Sequence, residues 1–338
     1  MTDMTTMTGP PALRAPSARL WAVALLAIAL LALPPAAKAL GEPFYISLVS
    51  RVLVFALAAM SLDLILGYGG LVCFGHAMFM GVGAYVVGIL AHHGAEETLL
   101  FGLLPGTDSG WIAWPLAMLC AGLLALAVGY VSLRTKGIYF IMITLAFAQM
   151  AYFFFVSLRA YGGDDGLSLA ARSTFSDLVS LRDKTSFYYV ALGVLIAVGL
   201  LLWRVTNSRF GMVLQGAKAN ERRMAHIGFP VFRYRLVAFT LAGAIAGLAG
   251  ALLANQANFV SPAMMHWTRS GEIIVMVILG GMGSLVGPVV GAFVFLLLEE
   301  VLSGWTEHWQ AVFGPMLLLV VIYARQGLYG LLPAREGK

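Results

Sequence analysis

The sequence predicts an all-α fold: a polytopic transmembrane helical bundle of about eight to ten spans. Three observations predict it. Of the 338 residues, 60% are hydrophobic and only 11% are charged, with a mean hydropathy of +0.88. A soluble domain carries about 25% charged residues, so a chain this apolar cannot cover its own surface in water. The apolar residues come in runs close to the ~20 needed to cross a bilayer as a helix. Finally, the basic residues collect in particular connections, as the positive-inside rule requires of a membrane protein.

The apolar runs fall at 20–40, 45–66, 69–91, 112–133, 137–157, 187–204, 235–254, 272–283, 287–303 and 310–325. The runs 272–283 and 287–303 are short, and Gly280-Gly-Met-Gly-Ser284 joins them. They read either as two helices or as one long broken helix, which leaves the span count open. Within the first run, Ala37-Lys-Ala39 resembles a signal-peptidase site. The long polar stretch before it and the apolar run just after it favour a retained first helix. The chain therefore divides into an N-terminal tail (1–19), a transmembrane domain (20–325) with a polar loop at about 205–235, and a C-terminal tail (326–338).

Charge sets the orientation. Arg14 and Arg19 precede the first span, Arg134 and Lys136 mark a turn, and Arg325, Arg335 and Lys338 close the chain. All of these belong on the cytoplasmic side. The 91–111 loop holds Glu96, Glu97 and Asp108 without a Lys or Arg, and the 158–186 loop is balanced, including Asp177 and Arg182. Both belong outside. Segment 204–235 carries Arg204, Arg209, Lys218, Arg222, Arg223, Arg233 and Arg235 against Glu221 alone. It is the strongest inside signal, and ten spans satisfy every marker with both termini cytoplasmic. The same loops account for the net charge of +5 and the pI near 9.3, so nucleic acid is not an expected partner. Cys73 and Cys120 lie in apolar runs and read as small buried residues.

The 204–235 segment is too long for a turn. Asn220 is placed to cap a short helix, with Glu221 in its first turn, near the positive end of the helix dipole. Met224 and Ile227, three apart, share a face. Gly228 is placed to end the helix and Pro230 to prevent its resumption. The expected object is a short, exposed, basic helix with an apolar ridge. Its plain alternative is a charged anchor that only sets topology.

Glycine supplies the second signal. Gly67, Gly69, Gly70, Gly75, Gly81, Gly83 and Gly88 crowd one span, while Gly283, Gly287 and Gly291 repeat every four residues, as do Gly243 and Gly247. Four-residue spacing places small residues on one face and lets backbones approach. The clusters Gly67–Gly70 and Gly280–Gly283 are dense enough to interrupt helices, and interrupted helices expose backbone polar groups at membrane depth. Gly69, Gly70, Phe74, Gly75, His76, Phe79, Gly280, Gly281 and Gly283 are thus the candidate translocation pathway, with Tyr85, Met276 and Met282 as further apolar lining. Asp63, His76, Glu272, Glu299 and Glu300, with Arg51 and Gln149, are the ionisable or polar residues in or near spans. His76 reads first as a packed hydrogen-bonding residue and second as a proton relay. No catalytic constellation or metal-ligand spacing is readable.

These motifs carry a resemblance. Segment 211–235 resembles the coupling loop of ABC importer permeases, with Ala219-Asn-Glu221 departing from the more alanine-rich start usual there. Leu66-Gly-Tyr-Gly-Gly-Leu-Val-Cys-Phe-Gly-His76, Gly228-Phe-Pro-Val-Phe-Arg-Tyr-Arg235 with Ala242-Gly-Ala-Ile-Ala-Gly-Leu-Ala-Gly250, and Ile278-Leu-Gly-Gly-Met-Gly-Ser-Leu-Val-Gly-Pro288 resemble the signatures of branched-chain amino-acid permeases of the LivM type. The resemblance runs from about 45 to about 330, and urea and short-amide permeases look alike at these motifs. It implies a non-enzymatic transport subunit in the bacterial inner membrane. Its partners would be a second, LivH-type permease, two ATP-binding subunits and a periplasmic substrate-binding protein. ATP and magnesium would be used by the ATPases, with no cofactor on this chain. On this reading Lys218, Asn220, Glu221, Arg222, Arg223, Met224, Ile227, Gly228 and Pro230 form the ATPase-coupling loop. The chain's only Gly-Lys pair is Gly337-Lys338, and no phosphate loop is present. A proton-coupled secondary transporter is the alternative.

Overall fold

The computed structural model describes residues 18–39, 41–100, 104–169, 172–176, 179–181, 183–305, 308, 311–315 and 327–330. The terminal tails with Arg14, Arg325, Arg335 and Lys338, the loop residues Asp177 and Arg182, and most of the 310–325 run lie outside the described residues.

Eleven helices account for most of the described chain: α1 (Ala18–Ala39), α2 (Pro43–Asp63), α3 (His76–Ala95), α4 (Gly110–Ser132), α5 (Ile138–Ser157), α6 (Lys184–Thr206), α7 (Arg209–Ala219), α8 (Glu221–His226), α9 (Val231–Ala257), α10 (Trp267–Gly280) and α11 (Gly287–Ser303). A final helical turn spans Gly327–Gly330, and strands among the described residues are confined to three short two-stranded ladders. Among the described residues, six helices are long and apolar enough to cross a membrane: α2 with its extension to Tyr68, α3, α4, α5, α6 and α9. The fold is an all-α polytopic membrane bundle, as the runs predict.

α9 is packed from three sides, against α2, α3 and α4. Its glycines make this possible. A Cβ at Gly250 would strike the carbonyl of Met80, one at Gly243 would strike the methyl of Ala125, and one at Gly83 of α3 would strike the backbone of Gly247. Such contact replaces side chains with backbone-to-backbone dispersion, which drives helix association in lipid. α2 forms the other half of the interior, with Val54, Ala56, Leu57, Ala58, Ala59 and Leu62 fully enclosed.

Two boundaries differ from expectation, both at glycine. The run 69–91 becomes α3 at 76–95, because α2 does not stop where its apolar run stops. It widens into a π-turn at Leu64–Tyr68, and the chain then passes through Gly70 at φ +68° and stays non-helical to Gly75. The run 272–283 becomes α10 at 267–280, since Gly281 (φ +116°) and Gly283 (φ +77°) occupy the left-handed region that only glycine adopts without strain. The alternative of one long broken helix is also corrected. α10 and α11 fold back on each other: a Cβ at Gly280 would meet the Gly287 carbonyl, and one at Gly291 would meet the Met276 carbonyl. Pairing 280 with 287 and 276 with 291 makes an antiparallel hairpin. Ser284 holds its turn, donating to the Gly281 carbonyl at 2.8 Å and accepting from the Gly287 N–H at 3.1 Å.

Candidate functional site: a junction of two helix breaks and the α7–α8 loop

Both glycine interruptions come to the same place. Asp63, at the end of α2, is 1% exposed, and its Oδ1 accepts the Gly283 N–H at 2.8 Å. Gly67 lies between them, and a Cβ there would collide with the Asp63 carboxylate and the Gly283 nitrogen. The α2 break and the turn of the α10–α11 hairpin are therefore in backbone contact across 220 residues of sequence.

The third partner comes from the loop. α7 packs Val213, Leu214 and Ala217 inward, and this directs Lys218 at the α2 break. The Lys218 ammonium donates to the carbonyl of Gly67, one of those left without an intrahelical partner by the interruption. Its stem lies over Gly70, where a Cβ would approach Lys218 Cγ to 2.9 Å. The ammonium is also near enough to act electrostatically on Asp63, whose Oδ2 accepts no hydrogen bond among the described residues. One lysine thus ties the α7–α8 segment to the α2 break directly and, through Asp63, to the hairpin turn.

α8 has the local form expected of it. Asn220 is extended (φ −158°, ψ 97°) and its side chain accepts the Arg223 N–H at 3.0 Å, capping the helix. Gly228 at φ +97° ends it. Glu221, in the first turn, pairs with Lys136 Nζ at 2.8 Å and with Arg235 Nη1 at 3.0 Å, tying α8 to the α4–α5 turn and to the start of α9. Partial burial pushes the Glu221 carboxyl up. The hydrogen bond from Lys136 and the charges of Arg235 and Lys136 outweigh that and hold it below the usual carboxylate range. Arg222 and Arg223 are solvent-exposed. The expected apolar ridge is divided: Met224 folds over Gly216, where a Cβ would come within 2.8 Å of its sulfur, and Ile227 remains 64% exposed. Pro230 stands immediately before α9 instead of merely halting α8, because its fixed φ suits a helix start.

The remaining pathway candidates separate into two groups. Gly69, Gly70, Gly281 and Gly283 lie at the junction, and Gly280 packs on the α11 backbone beside it. Gly75, His76 and Phe79 lie in the interior, away from it. A Cβ at Gly75 would press on the Thr144 carbonyl of α5, and Phe79 is enclosed between His76 and Phe239, its ring centroid 6.0 Å and 5.6 Å from theirs. Phe74 is half-buried against the core. His76 is fully buried, its Nε2 2.8 Å from Ser61 Oγ. Ser61 donates its own hydrogen to the Ala58 carbonyl at 2.7 Å, which assigns the Nε2–H tautomer to His76 and leaves Nδ1 without a partner among the described residues. The following residue, Ala77, donates its N–H to Ser270 Oγ at 3.0 Å, joining α3 to α10.

Three of the other ionisable candidates, Arg51, Glu299 and Glu272, find partners. Arg51 of α2 pairs with Glu299 of α11 at 3.2 Å, and Arg269 with Glu272 at 2.8 Å. Among the described residues no group of three metal-ligating side chains gathers. Sequence reading missed α7, whose signal was the spacing of Val213, Leu214 and Ala217. It also missed the pairing role of Lys136 and Arg235, which it treated only as topology markers; nothing in a linear pattern links either to Glu221.

Residues 44–321 match the family described as branched-chain amino acid transport system / permease component. The chain is 25% identical over 318 residues to the high-affinity branched-chain amino acid transport system permease protein LivM of Escherichia coli, covering 86% of this chain and 72% of that one. It is 24% identical to the probable LivM of Methanocaldococcus jannaschii, covering 84% and 93%. It is also 25% identical to the autoinducer 2 import system permease protein LsrC of Escherichia coli, covering 72% and 68%. No solved structure matches the chain. With its apolar spanning helices and a family match that takes in both helix breaks and the loop that meets them, the chain belongs to the permease-component family of branched-chain amino acid transport systems.

Proposed function

We propose that the chain is the permease subunit of a binding-protein-dependent ABC importer of the bacterial inner membrane, with the 204–235 loop and both termini cytoplasmic. Its substrates are branched-chain amino acids. It works beside a second, LivH-type permease, receives substrate from a periplasmic binding protein, and two ATP-binding subunits drive its alternating access. One observation carries the reading: Lys218 on α7 holds the Gly67 carbonyl at the α2 break, next to the Asp63–Gly283 contact with the α10–α11 turn. A subunit pressing on α7–α8 would move Lys218 and, through it, both interruptions. A self-contained carrier has no use for a lever on an external loop.

The test is reconstitution of the whole importer in liposomes with Lys218→Met. ATP hydrolysis should continue while leucine uptake falls by about tenfold or more, a change of ~1.4 kcal/mol in the coupled step. Unchanged uptake in that variant would overturn the lever. Uptake driven by a proton gradient in liposomes lacking the ATPases would replace the reading with a secondary transporter. Relatives with two different named cargoes are each 25% identical to the chain, over 318 and 266 residues, so substrate is tested separately: the cognate binding protein is titrated with leucine, isoleucine, valine, urea, short amides and autoinducer 2. Preference outside the three amino acids would overturn the substrate assignment alone.

A further inference from the structure

A pocket of about 180 Å³ opens on the α7–α8 side, beside the junction but separate from its hydrogen bonds. Its apolar wall comes from Leu71 and Val72, in the non-helical stretch after the α2 break, and from Leu133, Phe140 and Ile141 of the α4–α5 corner. Its polar rim is Lys136, Glu221 and Arg235. At ~30 Å³ per water, this volume is worth about six waters, the scale of one small organic molecule and far short of a nucleotide.

The rim is electrically incomplete. Two cations face one carboxylate, so one positive charge is in excess. The guanidinium of Arg235 gives Nη1 to Glu221 and Nη2 to the Ala217 carbonyl at 3.4 Å, and its Nε–H is enclosed with no acceptor among the described residues. A rim with a lysine and an arginine against a single carboxylate favours an anion, and a carboxylate is an acceptor that fits it. Glu221 accepts one bond at each oxygen, Oε1 from Lys136 and Oε2 from Arg235, which leaves a lone pair on each for a further donor. The rim therefore offers a place for one negative and one positive group side by side, directly above an aliphatic wall.

We infer that this pocket binds a zwitterionic amino acid with a branched aliphatic side chain: the α-carboxylate accepts from Lys136 beside the Arg235 charge, the α-ammonium donates to Glu221, and the side chain lies on Val72 and Ile141. The inference rests on the importer reading and deepens it, because in that orientation this face is cytoplasmic and the ligand is the imported product. The bound ligand joins the α2–α3 connection, the α4–α5 turn and the α8–α9 corner. Those three segments must shift against one another if α7–α8 is to move the junction. Product held there stabilises the state it binds and slows the cycle from inside. The slowing reaches about tenfold when product stands at about ten times its dissociation constant.

The experiment uses the intact importer in lipid nanodiscs, without binding protein and without ATP, titrated calorimetrically with leucine. Expected are saturable binding in the millimolar range, no binding of leucinamide or isovalerate, and affinity reduced about tenfold or more in Ile141→Phe, which fills the wall and leaves the rim intact. Lys136→Met, which removes a donor from the rim, should lose as much. In liposomes, the ratio of uptake with and without lumenal leucine should fall about tenfold in the parent and stay near one in Ile141→Phe. Absence of leucine binding, equal binding by Ile141→Phe, or equal binding of leucinamide overturns the site. Inorganic phosphate displacing leucine would identify a simple anion site and overturn it too. If leucine enters empty liposomes normally but lumenal leucine neither binds nor slows uptake, this inference alone fails. If leucine binds but is never imported, the importer reading fails and the site stands.

Discussion

α2 and α5 are almost equally apolar, yet they live in different surroundings. In its most hydrophobic stretch, 94% of α2 with its π-turn is buried inside the bundle, against 17% of α5. Hydropathy places both in the membrane and says nothing about which faces lipid. Side-chain size does. α2 carries Ala56, Ala58, Ala59, Ser50 and Ser61, whose hydroxyls bond back to their own helix at Ile46 and Ala58. Small residues let neighbours approach, and satisfied hydroxyls cost nothing there. α5 carries Tyr139, Met142, Met150, Phe153 and Phe154, all well exposed. Bulky side chains gain as much from lipid tails as from protein, so nothing draws this helix inward.

That contrast can be broken most directly at Gly250. Leucine there must displace the Met80 backbone, so Gly250→Leu should cost more than the ~1–3 kcal/mol of ordinary overpacking and abolish the folded protein in detergent thermal unfolding. Phe153→Leu on the exposed face of α5 should stay within about 0.5 kcal/mol of the parent in the same assay. Similar melting temperatures for the two variants would show that burial is not what separates the helices.

A smaller effect is expected at the junction, where the interior helix meets its polar end. Asp63→Ala leaves the Gly283 N–H without its acceptor and should cost about 1–3 kcal/mol, whereas Asp63→Asn retains an amide oxygen and should recover most of it. Equal losses in the two would mean that the charge, and not the hydrogen bond, holds the hairpin turn.

The smallest effect concerns the outer edge. Because Glu221 is held below the ordinary carboxylate value of 4.5, its pairing with Lys136 and Arg235 is fully present above that value. It is lost as pH falls through the lowered value. Proteolysis of 209–229 should therefore be flat from neutral pH to about 5 and accelerate below the ordinary value, and Glu221→Gln should remove that dependence. A Glu221→Gln profile identical to the parent would show that the cluster does not anchor α8. Glu221 is about one-third exposed, so solvent screening keeps this contribution modest.

Much of the site was readable as local grammar. Asn220 as cap, Glu221 in the first turn and Gly228 as terminator each depend on a neighbour within four residues, and all three stand where the spacing put them. The misplacement of α3 by several residues has a local cause as well: residues 69–75 are apolar enough to pass for helix, and only the positive φ of Gly70 reveals the break. What could not be read was who meets whom. Lys218 reaches Gly67 across 151 positions, Asp63 reaches Gly283 across 220, and Arg51 reaches Glu299 across 248.

The sequence by itself determined that this protein lives in lipid, that its helices break at two glycine clusters, and that a basic capped helix lies between spans. Those are consequences of transfer free energy, backbone sterics and hydrogen bonds within a single turn, which act over a few residues. Only the tertiary structure decided that the two breaks touch, that Lys218 joins them to the loop, and that Lys136, Glu221 and Arg235 rim an apolar pocket. Such contacts depend on where whole helices pack, and packing is set by the summed shape of many small residues that no single stretch contains.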